Sequence, residues 1–441
     1  MIKSKGLVKM TRIHMTVFAA LCCLLTVSTA LATDKVYTLE DAYAGALGTS
    51  EFMKIAEEGV IQSDDRIDQA WSTLYPHLNL SSSFIRYNDT LPRNSTTNLF
   101  QPLEQVQTAL VLTQTLYTGG RTLAALRTAN KMREASRSDL SVAKQDIFIR
   151  VSEAYYGVLK AQKSVEISKR SLERMEHHKQ VTEREASTRK TKANASALLR
   201  ANTLVSQARI SMIRAQDGIK VAREKLNLLT KLPVDAQIAE PHLLDQPTDK
   251  LDDLKALALK NRDDYAGSKL NSNIAEENVT IVRGSHYPQI YAEAGFTYLD
   301  SYPMTLMDAT TYYGGLKLSM PLFEGGLMKA EVSEAKSKQR QAELATELLR
   351  RSIESDVHEA YINLQTVASV LETAKLQMEY AKTNFDAVEG MFGEGLVPSL
   401  SLIDAEQALN MAERELVNAT YDQQVLILRL RKSIGKLGKE A

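Results

Sequence analysis

The sequence predicts a mixed α+β membrane protein in which a few β-strands feed directly into helices too long for any globular core, with the whole arrangement present twice. Three observations carry this reading. Residues 105–187 begin as a strand, with Val106, Leu110, Leu112 and Leu116 on one face and Gln107, Thr113 and Thr115 on the other, and the period changes at Tyr117-Thr118-Gly119-Gly120. From Arg121 no Pro and a single Gly, Gly157, interrupt the following stretch of more than sixty residues, which makes a helix on the order of 95 Å long. From Ile147 the apolar positions step by four and three through Val151, Ala154, Val158, Ala161, Val165, Ser168, Leu172 and Met175, a heptad seam with one polar member. The third observation is repetition. Val357-His358-Glu359-Ala360-Tyr361 matches Val151-Ser152-Glu153-Ala154-Tyr155, residues 318–326 match 112–120, and Tyr287-Pro288 echoes Tyr75-Pro76.

Taken in order, residues 1–32 read as a secretory signal peptide. Lys3, Lys5, Lys9 and Arg12 form a basic end, residues 15–30 carry no charge, and Ala30-Leu31-Ala32 fits a small-residue cleavage site. Cys22 and Cys23 both fall inside it, so the mature chain is expected to hold no disulfide and no thiolate metal site. The whole chain balances 54 basic against 54 acidic residues, and removing the four basic residues of the signal leaves 50 against 54. That excludes the basic excess of a nucleic-acid binder.

The first structural repeat is expected over residues 33–232. It comprises a helix over 38–75 with a soft point at Gly45 and Gly48, a strand over 77–87, an exposed loop over 88–104, then the strand and long helix already described. That helix weakens around 184–197. A return helix over 198–229 carries ten apolar heptad positions from Leu198 to Leu229, four of them Ala. Residues 233–250, with Pro233, Pro241 and Pro247, read as a linker. The second repeat, 251–441, has a helix over 251–287, strands around Ile290–Tyr298 and Leu318, a long helix seamed from Ile353 to Val388, and a turn at 393–399. Its return helix is seamed from Leu402 to Leu430 and interrupted by Gln423.

Four strands cannot close a barrel, and an open sheet cannot cross a bilayer, because every backbone group there must be paired. Several copies are therefore expected to share one barrel. Glu293 and Lys317 fall on the polar faces of their strands, which suits a wet barrel lumen. The competing reading is a soluble periplasmic coiled-coil scaffold or binding protein with two β-hairpins. It accounts for the heptads but not for the polar-face alternation or the strand-to-helix fusion.

The signal, the two-fold repeat, the strand-to-helix junctions at Gly119-Gly120 and Gly325-Gly326, and the Gly-to-Asp-Ala turn over residues 395–405 together resemble the TolC-like family of outer-membrane efflux proteins. The resemblance covers essentially the whole mature chain. It implies a homotrimer whose 12-stranded β-barrel, four strands per subunit, sits in outer-membrane lipid and continues as a periplasmic α-helical coiled-coil barrel. Its expected place is the outer membrane of a Gram-negative bacterium, extending into the periplasm. The implied function is the outer-membrane channel of a tripartite export system, passively conducting drugs, toxins or secreted proteins, as in type I secretion. Its partners would be a periplasmic adaptor (membrane fusion) protein and an inner-membrane transporter of unreadable class, with no nucleic acid.

The resemblance also implies site residues. Two adaptor-docking tips are expected, one at Gly393, Gly395, Leu396 and Val397, the other at Lys192 and Ala193, where the family's glycine is missing. Phe392, Val397 and Ala197 stand where the family has latching Tyr, Arg and Asp residues. Asp404 keeps one of the carboxylates that narrow the tunnel, and Ser401 replaces the other. Asp404 and Arg200 occupy equivalent places in the two repeats, and together with Ser401 are the expected periplasmic gate.

An enzyme finds no support in the residues. His177 and His178 adjoin on a charged helix and are expected in solvent, His358-Glu359 lacks a second His four residues on, and no phosphate loop exists. No catalytic residue, cofactor or metal is expected.

Overall fold

A computed structural model describes residues 36–88, 96, 100, 102–188 and 192–437. The expected signal, 1–32, lies outside the described residues, as does most of the loop between the first two long strands. The chain starts with strand β1 (Val36–Tyr37), α1 (Leu39–Thr49) and α2 (Glu51–Ser72). Thr38 caps α1 in a reciprocal box: its hydroxyl accepts from the Asp41 amide, and the Asp41 carboxylate accepts from the Thr38 amide. Then come β2 (His77–Arg86), β3 (Glu104–Tyr117), α3 (Arg121–Thr188) and α4 (Lys192–Thr230). After β4 (Gln237–Ile238) the order recurs: α5 (Leu251–Asn261), α6 (Asp263–Gly284), β5 (Gln289–Tyr302), β6 (Ala309–Ser319), α7 (Leu327–Gly393) and α8 (Ser399–Ser433).

Two expectations are corrected here. Each repeat is expected to open on a single helix, the first with a soft point at Gly45 and Gly48, but both helices are broken, at Ser50 and at Arg262, where the backbone turns extended. Gly45 and Gly48 are not the hinge. A Cβ on Gly45 would sit 3.1 Å from the Thr230 carbonyl, so this glycine serves the close approach of α1 to the end of α4. At the second break Arg262 folds back on Asp264 (2.6 Å) and reaches Asp356 of α7 (3.1 Å). The stretch read as a linker also contains a strand: β4 pairs in parallel with β1.

That pair is held against the mid-section of the long helices, its residues exposed or half-buried. The Tyr155 hydroxyl lies 2.6 Å from the Ala239 carbonyl and 3.0 Å from that of Tyr37. Tyr421 donates to Glu240, and Gln424, 1 % exposed, accepts from the Leu244 amide at 2.6 Å. Around these contacts Met53, Ile147, Val151, Tyr156, Val158 and Leu226 form the largest core. A second core joins Leu254, Ile353, Val357, Leu364, Ile427 and Leu430, and a third lies at the far end under the α7–α8 turn. The heptad positions read on α3, α4 and α8 are buried or half-buried throughout.

Candidate channel wall and entrance

The four long strands form one antiparallel sheet in the order β2-β3-β5-β6. Register assigns the faces. Leu80, Leu110, Phe296 and Tyr312 stand in one row, and the neighbouring row holds Leu78, Leu112, Ala294 and Gly314. The opposite face carries Asn79, Val111, Gly295 and Tyr313 in one row and Thr113, Glu293 and Gly315 in the next. One side of the sheet is therefore apolar and the other largely polar. Glu293 and Lys317 both lie on the polar side, and the Tyr313 hydroxyl donates to Glu293 at 2.9 Å.

From Ile290 to Asp300 the apolar side climbs about 34 Å along the strand, roughly 26 Å of membrane normal at the usual tilt near 40°. Charge returns at its upper edge, with Asp300 and the Arg86–Glu104 pair at 3.6 Å. One detail differs from the expected alternation. A bulge between Thr115 and Tyr117 puts Tyr117, not Leu116, opposite Ile290, so the strand's last turn swaps its faces before the junction.

At the junction Gly119 (φ +67°) and Gly120 (φ +83°) turn the strand into α3. A Cβ on Gly119 would lie 2.4 Å from the Gly284 carbonyl, so the backbone of this turn rests directly on the end of α6. Below it Arg127 grips Glu277 of α6 through two nitrogens, and Lys131 joins at 2.9 Å, which together hold the Glu277 carboxyl below its ordinary range. Gly325 (φ +62°) and Gly326 (φ +92°) make the equivalent turn into α7, but nothing lies within 4 Å of a Cβ at either. Leu322 and Phe323 beside them are 85 % and 86 % exposed.

At the far end α7 stops in a Schellman motif. The Gly395 amide donates to Phe392 (3.0 Å), the Leu396 amide donates to Met391 (2.9 Å), and Gly395 takes φ +71°. Gly393 is the last residue of α7, Leu396 is 69 % exposed, and Val397 folds inward onto the cluster of Phe385, Phe392 and Leu402. Lys192 and Ala193 form the first turn of α4. Among the expected gate residues, Ser401 is half-exposed, and Asp404 and Arg200 are exposed with no ion pair to each other in the single chain.

Sequence reasoning missed the set that does join the two halves near this end. Arg174 of α3 meets Glu406 of α8 at 2.6 Å, with the Glu406 side chain 3 % exposed. Arg170 pairs with Glu413 at 3.1 Å, Asn410 bonds Ser171 and Glu406, and Arg414 bonds Ser168. The expectation that His178 is solvated is overturned. It is 2 % exposed, its Nε2 lies 2.9 Å from the Ser399 hydroxyl, and its ring lies 5.1 Å from that of Phe392. Burial, and then His177 beside it, hold its pKa below the ordinary imidazole value.

A sheet with one lipid-like and one polar face, fused to a coiled-coil shaft, defines a barrel-forming channel subunit. No helix among the described residues is long and apolar enough to span a membrane. Residues 43–230 and 254–436 match the family described as Outer membrane efflux protein. Outer membrane protein TolC of Vibrio cholerae is 23 % identical over 394 residues, 85 % of each chain. In structure the chain is similar to the Campylobacter jejuni CmeC outer membrane channel, with a TM-score of 0.77, 15 % identity, and coverage of 90 % of this chain and 85 % of that one. It is similar also to the Neisseria gonorrhoeae MtrE outer membrane channel in its open state, with a TM-score of 0.75, 18 % identity and 93 % of each chain covered. The chain belongs to the outer membrane efflux protein family and is an outer-membrane protein.

Proposed function

We propose that three copies of this chain close one 12-stranded barrel and a helical tunnel beneath it. The assembly is the passive outer-membrane channel of a tripartite export system. An inner-membrane transporter supplies the energy and a periplasmic adaptor links it to this channel, so the protein itself is a conduit and not an enzyme. A wide lumen of mixed polar residues such as Glu293, Lys317 and Thr113 selects weakly, which fits drugs, toxins or secreted proteins as cargo. The adaptor meets the tips, where Leu396, Leu400 and Met391 are exposed beside Gly395.

The observation that carries this reading is that the sheet has two free edges, β2 and β6, and only half of its internal junctions covered. Within the chain the Gly119 turn rests on Gly284 and Tyr287. Ser72 and Tyr75 are the matching residues of the first repeat, and they offer the same seat to the Gly325-Gly326 turn of another copy. The test is purification of the full mature chain in mild detergent, with mass measurement and planar-bilayer recording. A trimer that conducts without added nucleotide is expected; a monodisperse monomer, or a trimer that passes no current, overturns the reading.

A further inference from the structure

The buried His178 is the feature that neither the channel wall nor the expected docking residues use. It lies on α3 but is packed beneath the turn joining α7 to α8. Phe392, one residue before the end of α7, stacks near its ring, and Ser399, the first residue of α8, faces Nε2. Its Nδ1 is buried without a hydrogen-bond partner among the described residues. The ring lines a cavity of about 40 Å3, with Val181, Phe385, Phe392 and Leu402 as its apolar walls. A space that size admits water, which gives protons a route to the ring.

We propose that His178 is an acid-operated clasp of the periplasmic entrance: neutral, it pins the α7–α8 turn to α3, and protonated, it lets the turn go. This rests on reading that end of the molecule as the entrance. The groups facing the ring explain the direction. On α3 itself, His177 and Arg174 line the same cavity and oppose a second cation. Helix α7 contributes Glu389, exposed at the cavity rim. Helix α8 lines the cavity with the apolar Leu402, and its nearby Glu406 carboxylate is engaged by Arg174. An imidazolium at this site would have a second N–H with no acceptor, in an apolar pocket beside positive groups, and its favourable state is outside.

The sign of the pH effect follows. A histidine whose buried pKa is depressed contributes its full docking energy above the free value near 6.5, and loses it as the pH falls below that. The turn that moves carries Gly395, Leu396 and Val397, and α8 just beyond it carries Ser401 and Asp404, so release acts directly on the expected gate.

Two measurements on the full trimer test this. In the first, hydrogen exchange over residues 391–403 is compared between the wild type and His178→Gln, which keeps a polar atom near the Nε2 position but does not titrate. The two should match at pH 7.5, and at pH 5 the wild type should exchange several-fold faster. Equal exchange at both values overturns the clasp, whether or not the protein conducts. In the second, planar-bilayer conductance of the wild type should rise at least two-fold between pH 7 and pH 5, His178→Gln should stay flat, and His177→Gln should keep the rise and move it to higher pH. A wild type that conducts with a flat pH profile, or a rise that survives in His178→Gln, sinks the clasp and leaves the channel reading intact.

Discussion

Gly119 and Gly120 both hold positive φ, yet a side chain would cost far more at one than at the other. At Gly120 nothing stands within 4 Å of a Cβ, so Gly120→Ala should cost only the left-handed backbone, about 1–2 kcal/mol. At Gly119 the Cβ would also strike the Gly284 carbonyl, and the loss should exceed that of Gly120→Ala by at least about 1 kcal/mol. Gly157, inside α3 with open space around it, should gain up to about 1 kcal/mol on change to Ala. Thermal unfolding of the three variants checks the ranking. A second residue-scale case is Glu406, whose carboxylate is buried against Arg174. Glu406→Ala leaves an uncompensated buried guanidinium and should cost on the order of 3 kcal/mol, whereas Glu406→Leu combined with Arg174→Met should recover most of it. If the double variant is no more stable than Glu406→Ala, the pair is not the source of the loss.

At the scale of elements, the long helices and long strands were legible because each repeats a simple period many times. Residues on α3, α4, α7 and α8 hold a three-four step for many turns, and β2, β3, β5 and β6 alternate over ten residues or more. The two-residue strands β1 and β4 have no period to read, and the contact that bridges them comes from a distant helix, with the Tyr155 hydroxyl donating to the Tyr37 and Ala239 carbonyls. His178 was missed for a different reason. A helix inside a bundle buries two stripes, and the heptad seam of α3 records only one of them. The second stripe runs through Ser152, Tyr156, Leu159, Ile167, His178 and Thr182, all buried, and its polar members hide the step. The tip makes its own prediction. Gly395 closes the Schellman turn at φ +71°, where a β-carbon strains the backbone by about 1 kcal/mol but meets no neighbour. Gly395→Asp should therefore leave assembly intact while abolishing export, because it puts a charge among the exposed Leu396, Leu400 and Met391. Unchanged drug resistance in cells carrying it would remove this tip from the docking surface.

The whole molecule is organised by one relation applied twice, and that relation specifies how copies meet. Inside the chain β3 pairs with β5 so that Val111 stands opposite Gly295 and Leu110 opposite Phe296. Aligning the strand-to-helix junctions carries β3 onto β6, and aligning the two Tyr-Pro steps carries β5 onto β2. The same pairing then sets Lys317 of one copy opposite Ser83 of the next, and Leu316 opposite Phe84. Both pairs keep their faces: Lys317 and Ser83 lie on the polar side, Leu316 and Phe84 on the apolar side. A wrong register of one residue would have mixed them. Directly opposed residues in an antiparallel pair bring their Cβ atoms to about 5 Å, within reach of a disulfide after small adjustment. With both cysteines of the sequence at positions 22 and 23, inside the expected signal, Lys317→Cys with Ser83→Cys gives a clean reporter. Mild oxidation of the intact protein in membranes should produce covalent dimers and trimers and nothing larger. Lys317→Cys with Asn79→Cys is the control, on the same face but four residues away, roughly 13 Å along the strand, and should remain monomeric on a denaturing gel. Cross-linking that favours the control pair would mean the copies meet in another register, and a ladder extending past the trimer would mean the edges join into an open array and not a closed barrel.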